Sequence, residues 1–279
     1  MPHAERHTTP GKAGELSYLA WPGDPGATPI LYLHPVNTAA AVWSAVAGEL
    51  GDARAAIAVD YRAHGYSAPG GPYLPADYAS DALAVLDAVG LERAHVVCGS
   101  IGGAVATELA LAAPGRVASV AAFGATLRVG WDEATIDDTE RDLRALGVRE
   151  WFRRHGAGIL GPASRPGAAA ELVELAAGGP DGDRPLDTVV EVLRTTFVVA
   201  DSRPAGAALA ARAERVPARV FVGTHDPTCP EAMAHELAAA FGGDVRTMTG
   251  IGHLPMLEDP AGTAAGIRDF HDRLTGDGS

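Results

Sequence analysis

Short apolar runs alternate with longer amphipathic ones along most of this 279-residue chain. The short runs, at 16–20, 30–33, 55–59, 95–97, 117–123, 219–222 and 244–248, have the length and apolar content of strands. Segments 39–50, 78–89, 101–113, 230–241 and 260–274 repeat apolar residues at helical spacing. Asp77 and Ser80 offer capping oxygens near the second of these helices, and Pro230 and Pro260 suit first-turn positions. Strands buried on both faces read as continuous apolar runs, so the pattern predicts an α/β fold: a mostly parallel, doubly wound sheet with helices on both faces.

Between 127 and 216 the alternation stops. Helical patterns at 137–146 and 186–200 are separated by Gly161-Pro162 and Gly178-Gly179-Pro180. An interval of about 90 residues between two strands of one sheet is too long for a plain loop. It predicts an inserted helical lid, 127–216, over the carboxyl edge of a core built from 1–126 and 217–279.

The most chemically informative segment is Val96-Val97-Cys98-Gly99-Ser100-Ile101-Gly102-Gly103, a strand, a tight turn and a helix start. A serine at such a turn projects its hydroxyl from the sheet edge, beside the unpaired N–H groups of a helix N-terminus. A hydroxyl is a weak nucleophile at neutral pH and needs a base, itself oriented by a carboxylate. His253, in Gly250-Ile251-Gly252-His253, and Asp226, in Gly223-Thr224-His225-Asp226, both follow predicted strands and so fall on the same edge as Ser100. The expected catalytic set is Ser100, Asp226 and His253, in the chain order of a serine hydrolase on such a sheet. After the run ending at Phe123 comes Gly124-Ala125-Thr126, which offers no competing carboxylate.

Charge developing on an attacked carbonyl needs two N–H donors. Ile101 supplies one at the helix start. In the loop His34-Pro35-Val36-Asn37, Pro35 has no N–H, so Val36 is the expected second donor of the oxyanion hole.

These segments, together with Asp60-Tyr61-Arg62-Ala63-His64-Gly65-Tyr66-Ser67, resemble the signature stations of the α/β-hydrolase superfamily, in the right order and across nearly the whole chain. Gly71-Pro72-Tyr73 and Trp151-Phe152 make the chain similar to its lidded group of 3-oxoadipate enol-lactone hydrolases and related small esterases and lactonases. The resemblance implies an α/β-hydrolase fold and cleavage of a small carboxylic ester or lactone through an acyl-enzyme. Two positions depart from the group's pattern: His34-Pro35 stands for the usual His-Gly, and Cys98-Gly99 replaces a glycine and a polar residue before the nucleophile. The same three residues could serve acyl transfer, cyclisation or chain release in secondary metabolism, and a lidded fold could also act as a non-enzymatic ligand receptor.

Trp131, Trp151, Phe152 and Phe197 are candidate walls of an acyl pocket, with His34 and Trp151 the expected substrate contacts. Arg153, Arg154 and His155 read either as a carboxylate-binding group or as a solvated basic face. Structural roles, tying loops by hydrogen bonds, are also open to His34 and His64.

The net charge of −13 argues against nucleic acid or an anionic membrane as partner, since both reward clustered Lys and Arg. A polar start and the lack of any long apolar stretch lead to the expectation of a soluble, cytoplasmic protein acting on a small molecule. Two cysteines, Cys98 and Cys229, match neither a disulfide framework nor a zinc spacing, and no cofactor or metal is expected. Cys98 reads as a small hydrophobe under the turn. Oligomeric state is not legible.

Overall fold

A computed structural model describes residues 4–179 and 182–276 of the chain; Pro180, within one of the predicted helix breaks, lies outside them. Eight strands form one sheet: β1 (Glu5–Gly11), β2 (Gly14–Trp21), β3 (Ile30–Leu33), β4 (Ala56–Val59), β5 (Ala94–Gly99), β6 (Val117–Phe123), β7 (Ala218–Gly223) and β8 (Asp244–Met248). Their spatial order is β1-β2-β4-β3-β5-β6-β7-β8. The pairs β1–β2 and β2–β4 are antiparallel, and every later pair is parallel. β1 carries no strand signal in the sequence because its mostly polar residues offer no apolar face. It is an edge strand, largely exposed, whose hairpin pairing with β2 satisfies one side of its backbone and leaves the other to solvent.

Helices cover both faces. α1 (Ser44–Leu50) and α11 (Pro260–Gly276) lie on one side; α2 (Pro75–Ala88), α3 (Gly102–Ala112) and α9 (Glu231–Phe241) lie on the other. Successive residues of the central strands alternate between two cores. Val96 and Cys98 enter the α2–α3 core, whereas Val97 and Phe123 enter the α1–α11 core, which is why these strands read as unbroken apolar runs. α1 is shorter than the predicted 39–50 because Ala40–Trp43 forms a 3₁₀ turn first. α2 starts earlier than predicted, at Pro75, and Asp77 accepts the Leu74 N–H at its entrance. Ser80 makes no cap.

Between β6 and β7 the chain forms α4 (Glu133–Leu146), α5 (Val148–His155), α6 (Ala168–Ala177), α7 (Leu186–Arg194) and α8 (Arg203–Ala210). α10 (Pro255–Glu258) is a single turn that follows β8. The helical pattern predicted to Ala200 breaks at Arg194, beyond which Thr195–Val199 winds as a wider π turn. Of the insertion, α4 to α7 build a small core of their own around Ile136, Leu143, Val189 and Leu193. α8 departs from the expected lid: Leu209 joins the α2–α3 core, and Gly206 leaves room for Leu127 and Ala240, so this helix packs with the sheet-flanking layer. Among the described residues no helix is long and apolar enough to cross a membrane.

Candidate active site

The turn from β5 into α3 is made by Ser100 and Ile101 alone. Ser100 sits at φ 54°, a left-handed conformation that costs a non-glycine residue roughly 1–3 kcal/mol. Surrounding packing holds it there: its N–H donates to Phe123 O, and its carbonyl accepts from the Gly103 and Thr126 N–H groups. Only glycine fits at 102, where a Cβ would lie 2.9 Å from Leu33 O and 3.1 Å from Cys98 Cβ. Cys98 is itself fully buried, and burial pushes its thiol well above the ordinary range, leaving a neutral packing group.

The structure brings Ser100, His253 and Asp226 together. Ser100 Oγ lies 3.0 Å from His253 Nε2, and His253 Nδ1 lies 3.0 Å from both Asp226 carboxylate oxygens. A carboxylate accepts only, so the proton of the neutral ring belongs on Nδ1, which leaves Nε2 free to accept the serine hydroxyl. Asp226 is held in turn by the Thr228 and Cys229 N–H groups, both 2.8 Å from its Oδ1. The side-chain donor atom of Cys229 falls with those of Asp226 and His253 inside a 4.8 Å cluster, a proximity that the separation of these residues along the chain did not reveal.

The Val36 and Ile101 N–H groups have no acceptor among the described residues. Both flank Ser100, Ile101 through the chain and Val36 across the cavity.

His34 is corrected. Expected to contact substrate, it is fully buried and does not line the cavity. Its Nε2 accepts the Tyr61 N–H at 3.1 Å, and its Nδ1 donates to Pro35 O at 2.8 Å. His64 works in the same way, with Nε2 accepting the Asn37 N–H at 3.2 Å. An accepting Nε2 requires a neutral ring. Burial enforces it, pulling His34 down to about 4 and His64 well below its ordinary value.

Two buried charged residues with little sequence signal bind this site to the insertion. Arg184, 5% exposed, donates to Asn37 Oδ1, Ala63 O and Ala176 O, so one side chain joins the loop after β3, the loop after β4 and the end of α6. Burial lowers its guanidinium only to about 10, so it remains charged. Glu258, 1% exposed, accepts from the Gly161, Gly252 and Leu254 N–H groups and from Ser164 Oγ. Through it the loop carrying His253 is fastened to the segment after α5. The one available signal for Glu258 was a carboxylate closing the apolar run Leu254-Pro255-Met256-Leu257.

A cavity of about 100 Å³ opens beside Ser100 and His253. Trp131, Trp151, Phe152 and Phe197 all contribute to its wall, with Leu172 and Leu193 completing an apolar chamber. His155 also reaches it, whereas Arg153 and Arg154 turn outward and pair with Glu150 on the exposed face of α5, so the two arginines form a solvated face while His155 belongs to the wall. Thr139 and Thr228 are polar wall positions that carried no sequence signal.

The two departures at Pro35 and Gly99 are one steric feature. A Cβ at 99 would lie 3.0 Å from Pro35 Cγ and 2.5 Å from Met256 Cε, so the proline ring and the methionine methyl together occupy the space that a side chain before the serine would need. Gly99→Ser is therefore expected to destabilise the fold by roughly 1–3 kcal/mol, as overpacking does. Combining it with Pro35→Gly should recover part of that loss. Chemical denaturation of the four chains of this cycle measures the coupling; strictly additive effects would show that the two positions are independent.

The chain belongs to the alpha/beta hydrolase family, whose sequence profile matches residues 25–266. Over 129 residues it is 35% identical to the dihydrolipoyllysine-residue acetyltransferase component of the acetoin cleaving system of Cupriavidus necator. That match covers 43% of this chain and only 34% of the relative's length. Among solved structures, the enol-lactonase of Burkholderia xenovorans LB400 superposes with a TM-score of 0.81 at 22% identity, covering 95% of this chain and 100% of the other. A thermophilic esterase of Thermogutta terrifontis gives 0.80 at 20% identity, covering 97% and 99%. At such identities the likeness establishes the shared fold.

Proposed function

We propose that this chain is a serine hydrolase of small carboxylic esters or lactones. The observation that carries the reading is the unbroken hydrogen-bonded relay from Ser100 through His253 to Asp226, opening onto a small apolar cavity. The names of the enol-lactonase and esterase structures of the same fold support the substrate class.

In this mechanism Ser100 Oγ attacks the carbonyl carbon while His253 Nε2 takes its proton, and the ionised Asp226 steadies the imidazolium. The Val36 and Ile101 N–H groups receive the oxyanion, and their lack of internal acceptors means that no bond has to break first. His253 then returns the proton to the leaving alkoxide. Water, deprotonated by the same ring, cleaves the acyl-enzyme and restores the serine.

The insertion acts as the lid. Its Trp131, Trp151, Phe152, Leu193 and Phe197 supply most of the apolar wall, so acyl size is selected there and the chemistry occurs on the sheet edge. A chamber of about 100 Å³ favours compact substrates.

The reading is tested by labelling with a fluorophosphonate and by an ester and lactone screen graded in acyl and ring size, run in labelled water. Probe attachment at Ser100, turnover confined to small members and labelled oxygen in the released acid are expected. No labelling, or an unlabelled cyclised product, would remove hydrolysis as the function. Asp226→Asn is expected to lower kcat by about 10⁴, because an amide NH₂ facing Nδ1 favours the wrong tautomer while the turn stays capped through the amide oxygen. Steady-state kinetics with a melting curve close to the parent's is the check.

A further inference from the structure

A second cavity, of about 220 Å³, lies at the other end of the strands from Ser100, between α1, α11 and the sheet. Ile30 and Ala56, the first residues of β3 and β4, mark its position at the amino edge. Trp21, Ile30 and Ile267 give it apolar walls. Two further lining residues are unusual. Tyr32 is fully buried and His271 is 5% exposed, yet neither the Tyr32 hydroxyl nor His271 Nε2 has a hydrogen-bond partner among the described residues. Buried polar atoms are nearly always paired, so two orphaned atoms on residues that line one cavity are candidates for pairing by a bound molecule.

The rim indicates what. Arg54 and Arg268 both line the cavity, each anchored by a backbone carbonyl, Thr28 O and Glu49 O respectively. Asp272 adds one carboxylate to these two guanidiniums. In a chain of net charge −13, a cavity whose rim carries a surplus of positive charge selects an anion. His271 packs against His95 with ring centroids 4.3 Å apart and planes tilted by 33°, and burial with the nearby Arg54 pulls both rings down, His271 to about 3 and His95 to about 4. At neutral pH His271 is thus uncharged and presents either an N–H or a lone pair.

We propose that this cavity is a binding site for a small monocarboxylate with an apolar body, held at its charged end by the Arg54 and Arg268 guanidiniums and the His271 and Tyr32 donors. The apolar body lies against Trp21, Ile30 and Ile267. Charge-assisted bonds to a guanidinium are roughly twice as strong as neutral ones, so the carboxylate supplies selectivity and the walls supply contact area. The site is separate from the Ser100 cavity and does not depend on the proposed hydrolysis.

Calorimetric titration of the full chain with benzoate tests it, with benzamide as the uncharged control. Saturable benzoate binding is expected, with benzamide at least about tenfold weaker. The double variant Arg54→Gln/Arg268→Gln should weaken benzoate by about tenfold or more, and so should His271→Phe. Trp151→Ala, which alters the Ser100 cavity, should leave benzoate affinity unchanged. Absence of saturation, equal binding of benzamide, indifference to the arginine substitutions, or loss in Trp151→Ala would each overturn the assignment. Should His271→Phe fail to fold, the arginine pair at the rim decides alone.

Discussion

Ser100→Ala is expected to reduce kcat by about 10⁶ with little change in stability. The loss is this large because in the proposed mechanism the serine, histidine and aspartate act as a unit: without Oγ no acyl-enzyme can form, and the His253–Asp226 pair has no nucleophile to activate. A residual acceleration of about 10³–10⁴ over water is expected to remain, from the Val36 and Ile101 donors and from substrate positioning in the cavity. Stability should shift by no more than about 1 kcal/mol, the net worth of one buried hydroxyl bond. A companion variant sharpens the test. Ser100→Gly removes the same hydroxyl and also relieves the left-handed backbone at φ 54°, so it should be equally inactive yet more stable than Ser100→Ala by about 1 kcal/mol or more. Single-turnover kinetics and urea unfolding of the two variants decide both halves. Substantial turnover in either would show that another group is the nucleophile.

Glu258→Ala is expected to have the largest effect on stability, lowering it by about 3–5 kcal/mol and the melting temperature by about 10 °C. The buried carboxylate satisfies the Gly161, Gly252 and Leu254 N–H groups together with Ser164 Oγ, and alanine removes the acceptor of all three backbone donors. Each such donor costs roughly 1–3 kcal/mol when left unpaired. The damage reaches the chemistry because Gly252 and Leu254 bracket His253, whose own N–H donates to Ile159 O across the same junction. Activity should therefore fall under conditions where the protein is still folded. Glu258→Gln should be intermediate: its amide oxygen can replace Oε2, which accepts three of the bonds, but its NH₂ then faces the Leu254 N–H, donor against donor. An unfolding free energy for Glu258→Ala within about 0.5 kcal/mol of the parent would show that the carboxylate carries no such load.

The elements built from continuous apolar runs were readable in advance because burial on both faces leaves one compositional signature. β3, β6 and β8 coincide with their predicted spans, and the Ser100 turn was visible from small residues packed between a strand and a helix. β1 was not readable, since an edge strand takes its order from a partner rather than from its own residues. The insertion was readable only as an interruption. Its α5, α6 and α8 are not legible: α5 is a short, highly charged helix whose Val148 and Phe152 alone are buried, and α6 and α8 are too alanine-rich to show a clear apolar face.

Ser100, Asp226 and His253 stand far apart along the chain, yet each follows a strand, and parallel strands deliver all their carboxyl ends to one edge. Local pattern therefore determined the class of fold, the edge where chemistry would be sought and the residue types available there. Tertiary structure decided the rest. It buried His34 away from the cavity, turned Arg153 and Arg154 toward Glu150, fitted Pro35 over Gly99, and placed Arg184 and Glu258 as bridges between insertion and sheet. These outcomes depend on contacts between residues distant in sequence, and on whether a polar atom finds its partner inside the protein or in water. No periodicity along a single chain encodes that choice.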